Sequence, residues 1–194
     1  MSILRPAATM VVGFTLLLGL AMPAAFTSLA WVVLPAESGG SLIERDGRVA
    51  GSALIGQNFA SGRYFHPRPS ATTAPDPQDR TETVNAPYNA AASATSQRAP
   101  SSQALLDTVK ERVAEAGPAP VPADVVTASG SGLDPDISPE NAARQVARVA
   151  QARGLPEDRV RAVLAENTTA PLLGFFGPAR VNVLRLNLAL DGTH

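Results

Sequence analysis

The sequence predicts an α+β protein: a single N-terminal transmembrane helix followed by one soluble domain with a small sheet and at least three helices. Three observations support this prediction. An uncharged apolar run opens the chain, two capped helix patterns follow one another after residue 138, and an alternating apolar segment closes the chain. We therefore expect a transmembrane anchor at residues 1–35 and a soluble α+β domain at residues 36–194.

The anchor is predicted from its length. The 31 residues between Arg5 and Glu37 carry no charge, and about 20 apolar residues are enough to cross roughly 30 Å of hydrocarbon. Trp31, near the far end, suits the headgroup region. The alternative is a cleaved signal peptide with a small-x-small site at Ser28–Ala30. The apolar run continues past that site, which favours an uncleaved anchor.

The charges that flank the anchor favour one orientation. Arg5 and the amino terminus precede the apolar run, and the first charge after it is the acidic Glu37. By the positive-inside rule, the N-terminus is expected in the cytoplasm and the soluble domain on the outer side. Gly13 and Gly19 let a second helix approach closely in lipid, and Pro23 is expected to kink the anchor.

Capping residues and apolar periodicity predict the soluble elements. Each predicted helix starts at a capping Ser or at Pro, and they cover residues 101–117, 138–154 and 156–167. The last two are close enough to form an αα-hairpin. The predicted strands cover residues 48–59, where the strand enters a turn, Asp124–Ala128 and Val181–Leu190. Residues 71–100, which are rich in Thr, Ala and Pro, are predicted to form a long loop or a poorly ordered excursion.

Composition excludes several kinds of site. The chain has no cysteine, which removes disulfides, thiolate metal sites and cysteine nucleophiles. Its two histidines, His66 and His194, are too far apart in sequence to suggest a metal pair. A net charge of −1 argues against a nucleic-acid surface. There is no P-loop, HExxH, GxSxG or dinucleotide fingerprint. We interpret His66 as structural and Asp134–Asp136 as turn chemistry rather than metal ligands.

One segment has the composition of a binding loop. Ser129, Gly130, Ser131 and Gly132 precede a predicted helix, and their backbone N–H groups could face an anion. The alternative is an ordinary connecting loop. The residues by themselves leave both interpretations open.

Several blocks resemble one known family. They read GSALIGQNF, YFHPRPSA, YNA, VTASGSGLDPDISPENAARQVARVAQARGL and FGPARVNVLRLNLALD. Together they resemble, over nearly the whole chain, the C subunit of Kdp-type potassium-transporting ATPases. The resemblance implies a non-catalytic accessory subunit of an ATP-driven potassium import complex in the bacterial plasma (inner) membrane. It also implies that the chain supports assembly of the complex and raises the ATP affinity of the catalytic subunit.

The resemblance further implies partners and a site. The partners would be a channel-like potassium-translocating subunit and a catalytic P-type subunit, with membrane lipid around the anchor and no nucleic acid. The P-type DKTGT signature is absent here, in agreement with a non-catalytic subunit. The chain would have no cofactor of its own, ATP would be shared with the catalytic subunit, and the complex would carry K⁺. By resemblance, the nucleotide-binding residues would be Ser129, Gly130, Ser131, Gly132 and Gln145.

The family pattern is broken at residues 91–100. The family has a Ser-Gly-Gly-Ser-Asn run there, whereas this chain reads AASATSQRAP. Without those glycines fewer residues adopt positive φ easily, so the loop is expected to fold differently.

One implication of the resemblance, contact with ATP, conflicts with the charge pattern. ATP is cytoplasmic, whereas the charges around the anchor place the domain outside, where it would cap the side from which potassium enters. The alternative function is a membrane-anchored nucleotide-binding regulatory module that acts through the loop at 129–132, which requires a cytoplasmic domain. A membrane-anchored hydrolase using acidic residues near 134–140 is the least supported hypothesis, because the chain is poor in His and lacks Cys.

Overall fold

The computed structural model describes residues 3–192, so His194 lies outside the described residues. The chain divides into two compact units, Met1–Ser52 and Ala53–His194. The first contains a long apolar helix and a β-hairpin, and the second contains two small sheets and several helices. The α+β class predicted from the sequence is therefore confirmed.

The predicted anchor is one continuous helix. It comprises α1 (Leu4–Leu16), a π-helical turn (Leu17–Ala21) and α2 (Met22–Val33). At a rise of about 1.5 Å per residue it is roughly 45 Å long, which is enough to span a bilayer with some tilt. Among the described residues of this helix none is buried. Its length and composition are those of a membrane span.

The π-helical turn lies next to Pro23. Proline has no N–H to donate, and its ring crowds the carbonyl four residues earlier, here that of Gly19. Just before the proline, the Met22 N–H instead reaches back five residues to the Leu17 carbonyl. A widened turn thus occupies the position at which the sequence predicts a kink, and π-bulges are a common way for a helix to absorb such a disruption.

A β-hairpin completes the first unit. After the short helix α3 (Pro35–Ser38), strands β1 (Leu42–Arg45) and β2 (Arg48–Ser52) pair antiparallel. Asp46 and Gly47 both have positive φ, 52° and 72°, as a two-residue hairpin turn requires. The strand predicted at 48–59 is therefore right at its start but ends at Ser52.

The core of the second unit packs three helices against a three-stranded antiparallel sheet. The helices are α6 (Pro139–Arg153), α7 (Glu157–Glu166) and α8 (Val183–Asp191). The strands are β5 (Asp136–Ile137), β6 (Thr168–Thr169) and β7 (Arg180–Asn182), and their order in the sheet is β5-β7-β6. The fully buried apolar side chains are Phe65, Ala142, Val146, Val149, Val160, Val181, Leu186 and Leu190.

The α6–α7 hairpin follows the predicted caps. The Ser138 side chain accepts the N–H of Asn141 at 3.0 Å, which satisfies one of the free donors at the start of α6. Gly154 ends α6 with φ +67°, the left-handed conformation that glycine adopts at little cost. Pro156 is the N-cap of α7. Both helix predictions are confirmed.

Two predictions for the middle of the chain need correction. Residues 71–100 were expected to form a loop, but β3 (Thr73–Pro75) and β4 (Thr83–Asn85) pair as a hairpin within that range. The strand expected at Asp124–Ala128 is instead a short helix, α5 (Ala123–Val126). The preceding helix, α4 (Gln103–Ala116), ends at Gly117 as predicted.

The strand expected at Val181–Leu190 is wrong beyond Asn182. The Asn182 side chain accepts the N–H of Arg185 at 3.1 Å and so starts α8. Its buried residues include Val183, Leu186, Asn187 and Leu190, spaced i, i+3, i+4 and i+7. The alternating leucines fit the two-residue period of a strand, but the same segment also fits the 3.6-residue period of a helix, because it is rich in apolar residues.

Candidate functional site

A stretch without regular secondary structure, residues 64–72, runs through the second unit, and we call it the central segment. Two side-chain amides hold its backbone. Asn187 accepts the Phe65 N–H at 2.8 Å and donates to the Phe65 carbonyl at 3.0 Å. Gln145 makes the same pair of bonds to His66, at 2.7 and 3.1 Å. Side chains of helices α8 and α6 thus satisfy backbone groups of the central segment that have no partner in a helix or sheet.

The Ser/Gly loop of residues 129–132 packs against this segment. The Ser129 N–H donates to the Pro69 carbonyl at 3.0 Å, and the Ser70 hydroxyl donates to the Gly132 carbonyl at 2.7 Å. Ser129 itself is buried, and its hydroxyl oxygen accepts the N–H groups of Ser131 and Gly132 at 3.2 and 3.0 Å. These three amides therefore point at acceptors within the protein.

Gly132 is required by conformation and by space. Its φ is +70°, and a Cβ there would lie 2.7 Å from the Ala94 carbonyl oxygen. Gly130, in the same loop, has open space around the equivalent position. The carbonyl of Ser131 accepts the N–H of Ala94 at 3.0 Å, so the divergent 91–100 segment is bonded to the Ser/Gly loop.

Gln145 lines a groove of about 960 Å³ that also contains His66, Arg68, Tyr88 and Arg148. In the described part of the chain, none of the loop residues 129–132 lines that groove. The polar atoms of the Gln145 amide are fully used, since its oxygen also accepts from Arg148 at 2.7 Å and its nitrogen donates to Asn141 at 3.0 Å. Of the five residues assigned by resemblance, only Gln145 therefore lines this groove.

The arginines of this groove bind neighbouring protein groups. Arg144 donates to three backbone carbonyls between residues 116 and 120, at 2.7–2.9 Å. Arg148 donates to the carbonyls of Gly62 and Tyr64 at 2.7 and 3.0 Å. Arg68 forms an ion pair with Asp134 at 2.9 Å. The positive charges thus fasten the central segment and the loop before α5 to the rest of the unit.

The acidic residues near β5 form turns and caps. The Asp134 carboxylate accepts the N–H of Asp136 at 3.1 Å, which confirms the predicted turn chemistry. Asp124 accepts from the Ser138 N–H, the Ser138 hydroxyl and the Asn141 amide at 2.8–3.0 Å. Burial opposes ionisation of Asp124, but these hydrogen bonds outweigh it and lower the pKa of the carboxyl. Among residues 3–192, no group of three His, Asp or Glu side chains could hold a metal ion.

Burial lowers the pKa of the groove residue Arg148, and the pKa values of two further groove residues, His66 and Tyr88, are also shifted. Burial lowers the pKa of His66, the hydrogen bond with the Ser61 carbonyl opposes the shift, and the Arg148 charge adds to it. The lowered pKa favours the neutral form of His66. Burial and the charge of Asp134 raise the pKa of Tyr88, so its hydroxyl stays protonated and donates to the Arg68 carbonyl at 2.6 Å. Both groups act as structural hydrogen-bonding partners.

Sequence reasoning missed an exposed apolar tip at residues 171–177, which joins β6 to β7. Its large side chains are 68–78% exposed: Leu172, Leu173, Phe175 and Phe176. A signal for it was present, since the 13 residues between Glu166 and Arg180 carry no charge. So many adjacent exposed apolar groups mark an interaction surface.

Known proteins resemble the chain over almost its whole length. The family model described as "KdpC: K+-transporting ATPase, c chain" matches residues 4–192. A "Potassium-transporting ATPase KdpC subunit" of Rhodopseudomonas palustris (strain BisB18) is 58% identical over 192 residues, 97% of this chain and 96% of the relative. A protein of the same description from Methylobacterium nodulans is also 58% identical, and one from Bradyrhizobium diazoefficiens 56%, with the same coverage.

The match to the family model extends from the apolar helix through the central segment to α8. The expectation drawn from the sequence blocks is confirmed at the level of the family. The chain therefore belongs to the KdpC family, the C subunits of potassium-transporting ATPases.

Proposed function

We propose that this chain is a non-catalytic accessory subunit of an ATP-driven potassium import complex, and that its main task is to support assembly. Its partners are a channel-like potassium-translocating subunit and a catalytic P-type subunit. The observation that carries the proposal is the α1–α2 helix, an apolar surface about 45 Å long with no buried residue among those described. In a family of transporter subunits, such a surface serves as a span that packs against partner helices.

The chemistry of the grooves supports a non-catalytic role. The Nε2 atom of the His66 ring lies 3.1 Å from the Ser61 carbonyl oxygen, and the His66 backbone is bonded to Gln145. The Asp124 carboxylate accepts three hydrogen bonds from the start of α6. Both groups stabilise the fold.

The membrane span offers a direct test of assembly. Within this chain, a Cβ at Gly13 or Gly19 meets nothing within 4 Å, so Gly13→Leu and Gly19→Leu cost this unit little. Val12→Leu, at an exposed position beside Gly13, is the matched control. With a tag on the channel-like subunit and extraction in mild detergent, we expect the glycine variants to be recovered less well than wild type and the control equally. Recovery of the wild-type chain alone, as a monomer, would refute the proposal.

We further propose that the N-terminus is cytoplasmic and that the second unit, Ala53–His194, which we call the soluble unit, faces outward. The flanking charges support this orientation. Reporters that are active only inside or only outside the cell, fused after His194, test it. Activity of the outside reporter is expected, and activity of the inside reporter would reverse the orientation.

The effect on the ATP affinity of the catalytic subunit is then proposed to act through assembly rather than by contact with nucleotide. The inward-pointing amides of Ser129, Ser131 and Gly132 support this. The alternative, a nucleotide-binding regulatory module that acts through the 129–132 loop, would use Ser129, Gly130, Ser131, Gly132 and Gln145.

Gly130 separates the two mechanisms. A side chain there meets open space, so Gly130→Asp adds a negative charge at the loop and Gly130→Asn is its neutral control. If ATP binds the loop, ATP raises the melting temperature of the wild-type chain, and only the Asp variant loses this effect. We expect no ATP-dependent shift in any of the three.

A further inference from the structure

Packing within the described chain does not explain why the tip at residues 171–177 is so apolar, because its large side chains are exposed. The ten residues 170–179 read APLLGFFGPA, and none of them has a nitrogen or oxygen atom in its side chain. Leu173 is 78% exposed and has φ +55°, a backbone conformation that Gly or Asn adopts more readily. A large aliphatic residue at the most exposed point of a strained turn contributes little to the core. The free-energy cost of exposing Leu173 at positive φ is therefore expected to be offset by an interaction with a molecule outside the chain.

The backbone of the tip is closed on itself. Leu172 and Phe176 exchange N–H to carbonyl bonds of 3.0 and 2.9 Å, and the N–H groups of Gly174 and Phe175 donate to Pro171 and Leu172. This closure matters because backbone polar groups that enter an apolar medium need partners within the protein. Polar protein surfaces usually expose such groups to water instead.

The bilayer is the occupant that these features favour. A protein partner would select a patterned patch, apolar at the centre with polar atoms around it, whereas this tip has no polar side chain in ten residues. A lipid surface selects only for apolar side chains and a satisfied backbone. The same chain contains the α1–α2 membrane span, so a bilayer is always within reach of the tethered unit.

We propose that the tip at residues 171–177 inserts into the headgroup–acyl boundary of the leaflet that faces the soluble unit, and so forms a second lipid contact. Phe175 and Phe176, whose ring centroids lie 5.7 Å apart, enter with Leu172 and Leu173. The contact limits rotation of the unit about its tether. It goes beyond the accessory role proposed above and does not depend on which side of the membrane the unit faces.

The test uses the full chain with a single tryptophan at the tip. Trp31→Phe removes the native tryptophan, and Phe175→Trp places a reporter at a position that is 74% exposed. The matched control is Leu106→Trp in the same background, on α4 and 47% exposed. Both are reconstituted in vesicles of phosphatidylglycerol and phosphatidylcholine, with or without dibrominated acyl chains on the phosphatidylcholine. Leu173→Trp is the second reporter, and circular dichroism checks that each variant folds.

Brominated lipid is expected to quench the tip reporters about twofold or more over the Leu106 control, because contact quenching reaches only rings buried at the headgroup–acyl boundary. Their emission should also lie to the blue of the control. Equal quenching of tip and control would place the tip in water and overturn the proposal. If the tip reporters shift to the blue only in the assembled complex and brominated lipid does not quench them, a partner subunit covers the tip and the proposal is equally wrong.

Discussion

Replacing Asn187 with alanine is expected to destabilise the soluble unit more than any surface change. Asn187 is 1% exposed, and its amide satisfies both backbone groups of Phe65. Phe65 is itself fully buried in the core. The alanine variant leaves a buried N–H and a buried carbonyl without partners, and in a closed core water cannot easily replace the amide.

The magnitude follows from those two groups. Each buried polar group left unsatisfied costs about 1–3 kcal/mol, and some relaxation reduces the sum, so we expect a loss of about 3 kcal/mol. For a unit of this size, that corresponds to a fall in melting temperature of roughly 10 °C. Gln145→Ala is the comparison variant: it removes the same two bonds from His66, together with those to Asn141 and Arg148, but beside an open groove. Water can replace them there, and we expect about 1 kcal/mol.

The assay is urea unfolding of the full chain in detergent, followed by far-UV circular dichroism. The anchor helix provides a constant baseline, and the transition reports the soluble unit. The midpoint should fall further for Asn187→Ala than for Gln145→Ala, with similar slopes. Equal losses in the two variants would refute the reasoning, because it rests on the difference in burial between the two peptide groups.

Three further changes have defined outcomes. Gly132→Ala should lower the free energy of unfolding by about 3 kcal/mol, because alanine is strained at positive φ and its Cβ would collide with the Ala94 carbonyl oxygen. Gly130→Ala is the control, and its free energy of unfolding should stay within about 0.5 kcal/mol of wild type in the same urea titration. The pKa of Asp124 is lowered in the folded state. Its contribution to stability is therefore present above about pH 4 and is lost as the pH falls through the folded-state pKa. Asp124→Asn should be less stable than wild type at pH 7 and should lose less stability on acidification. The pKa of His66 is also lowered in the folded state, so the unfolded chain binds the proton more tightly and stability should fall as the pH drops below about 6.5. His66→Asn should flatten that part of the plot of melting temperature against pH. An unchanged plot would contradict the argument that burial lowers the pKa of His66.

Local signals were sufficient where a residue and its neighbours in sequence decide the outcome. The apolar run between Arg5 and Glu37 predicts a span because length and absence of charge are properties of the segment alone. Ser138, Gly154 and Pro156 predict the bounds of α6 and α7 because capping acts within one helical turn.

The candidate site was less accessible to this reasoning. The Ser/Gly composition of residues 129–132 suggests free amides, yet the acceptor for the Ser129 N–H is the carbonyl of Pro69, far away in sequence. The exposed tip at 171–177 gave only an absence of charge as a signal. Whether an apolar turn is buried or exposed depends on what packs over it, and no local pattern specifies that.

The sequence by itself determined the membrane helix, the α6–α7 hairpin and, through its long matching blocks, the family. Only the tertiary structure decided that residues 183–191 form a helix, that Asn187 holds Phe65, and that the N–H groups of Ser129, Ser131 and Gly132 have acceptors within the protein. The physical reason is range. Caps and apolar length act within a few residues, whereas the Phe65–Asn187 bonds join groups 122 residues apart and exist only once the core has formed.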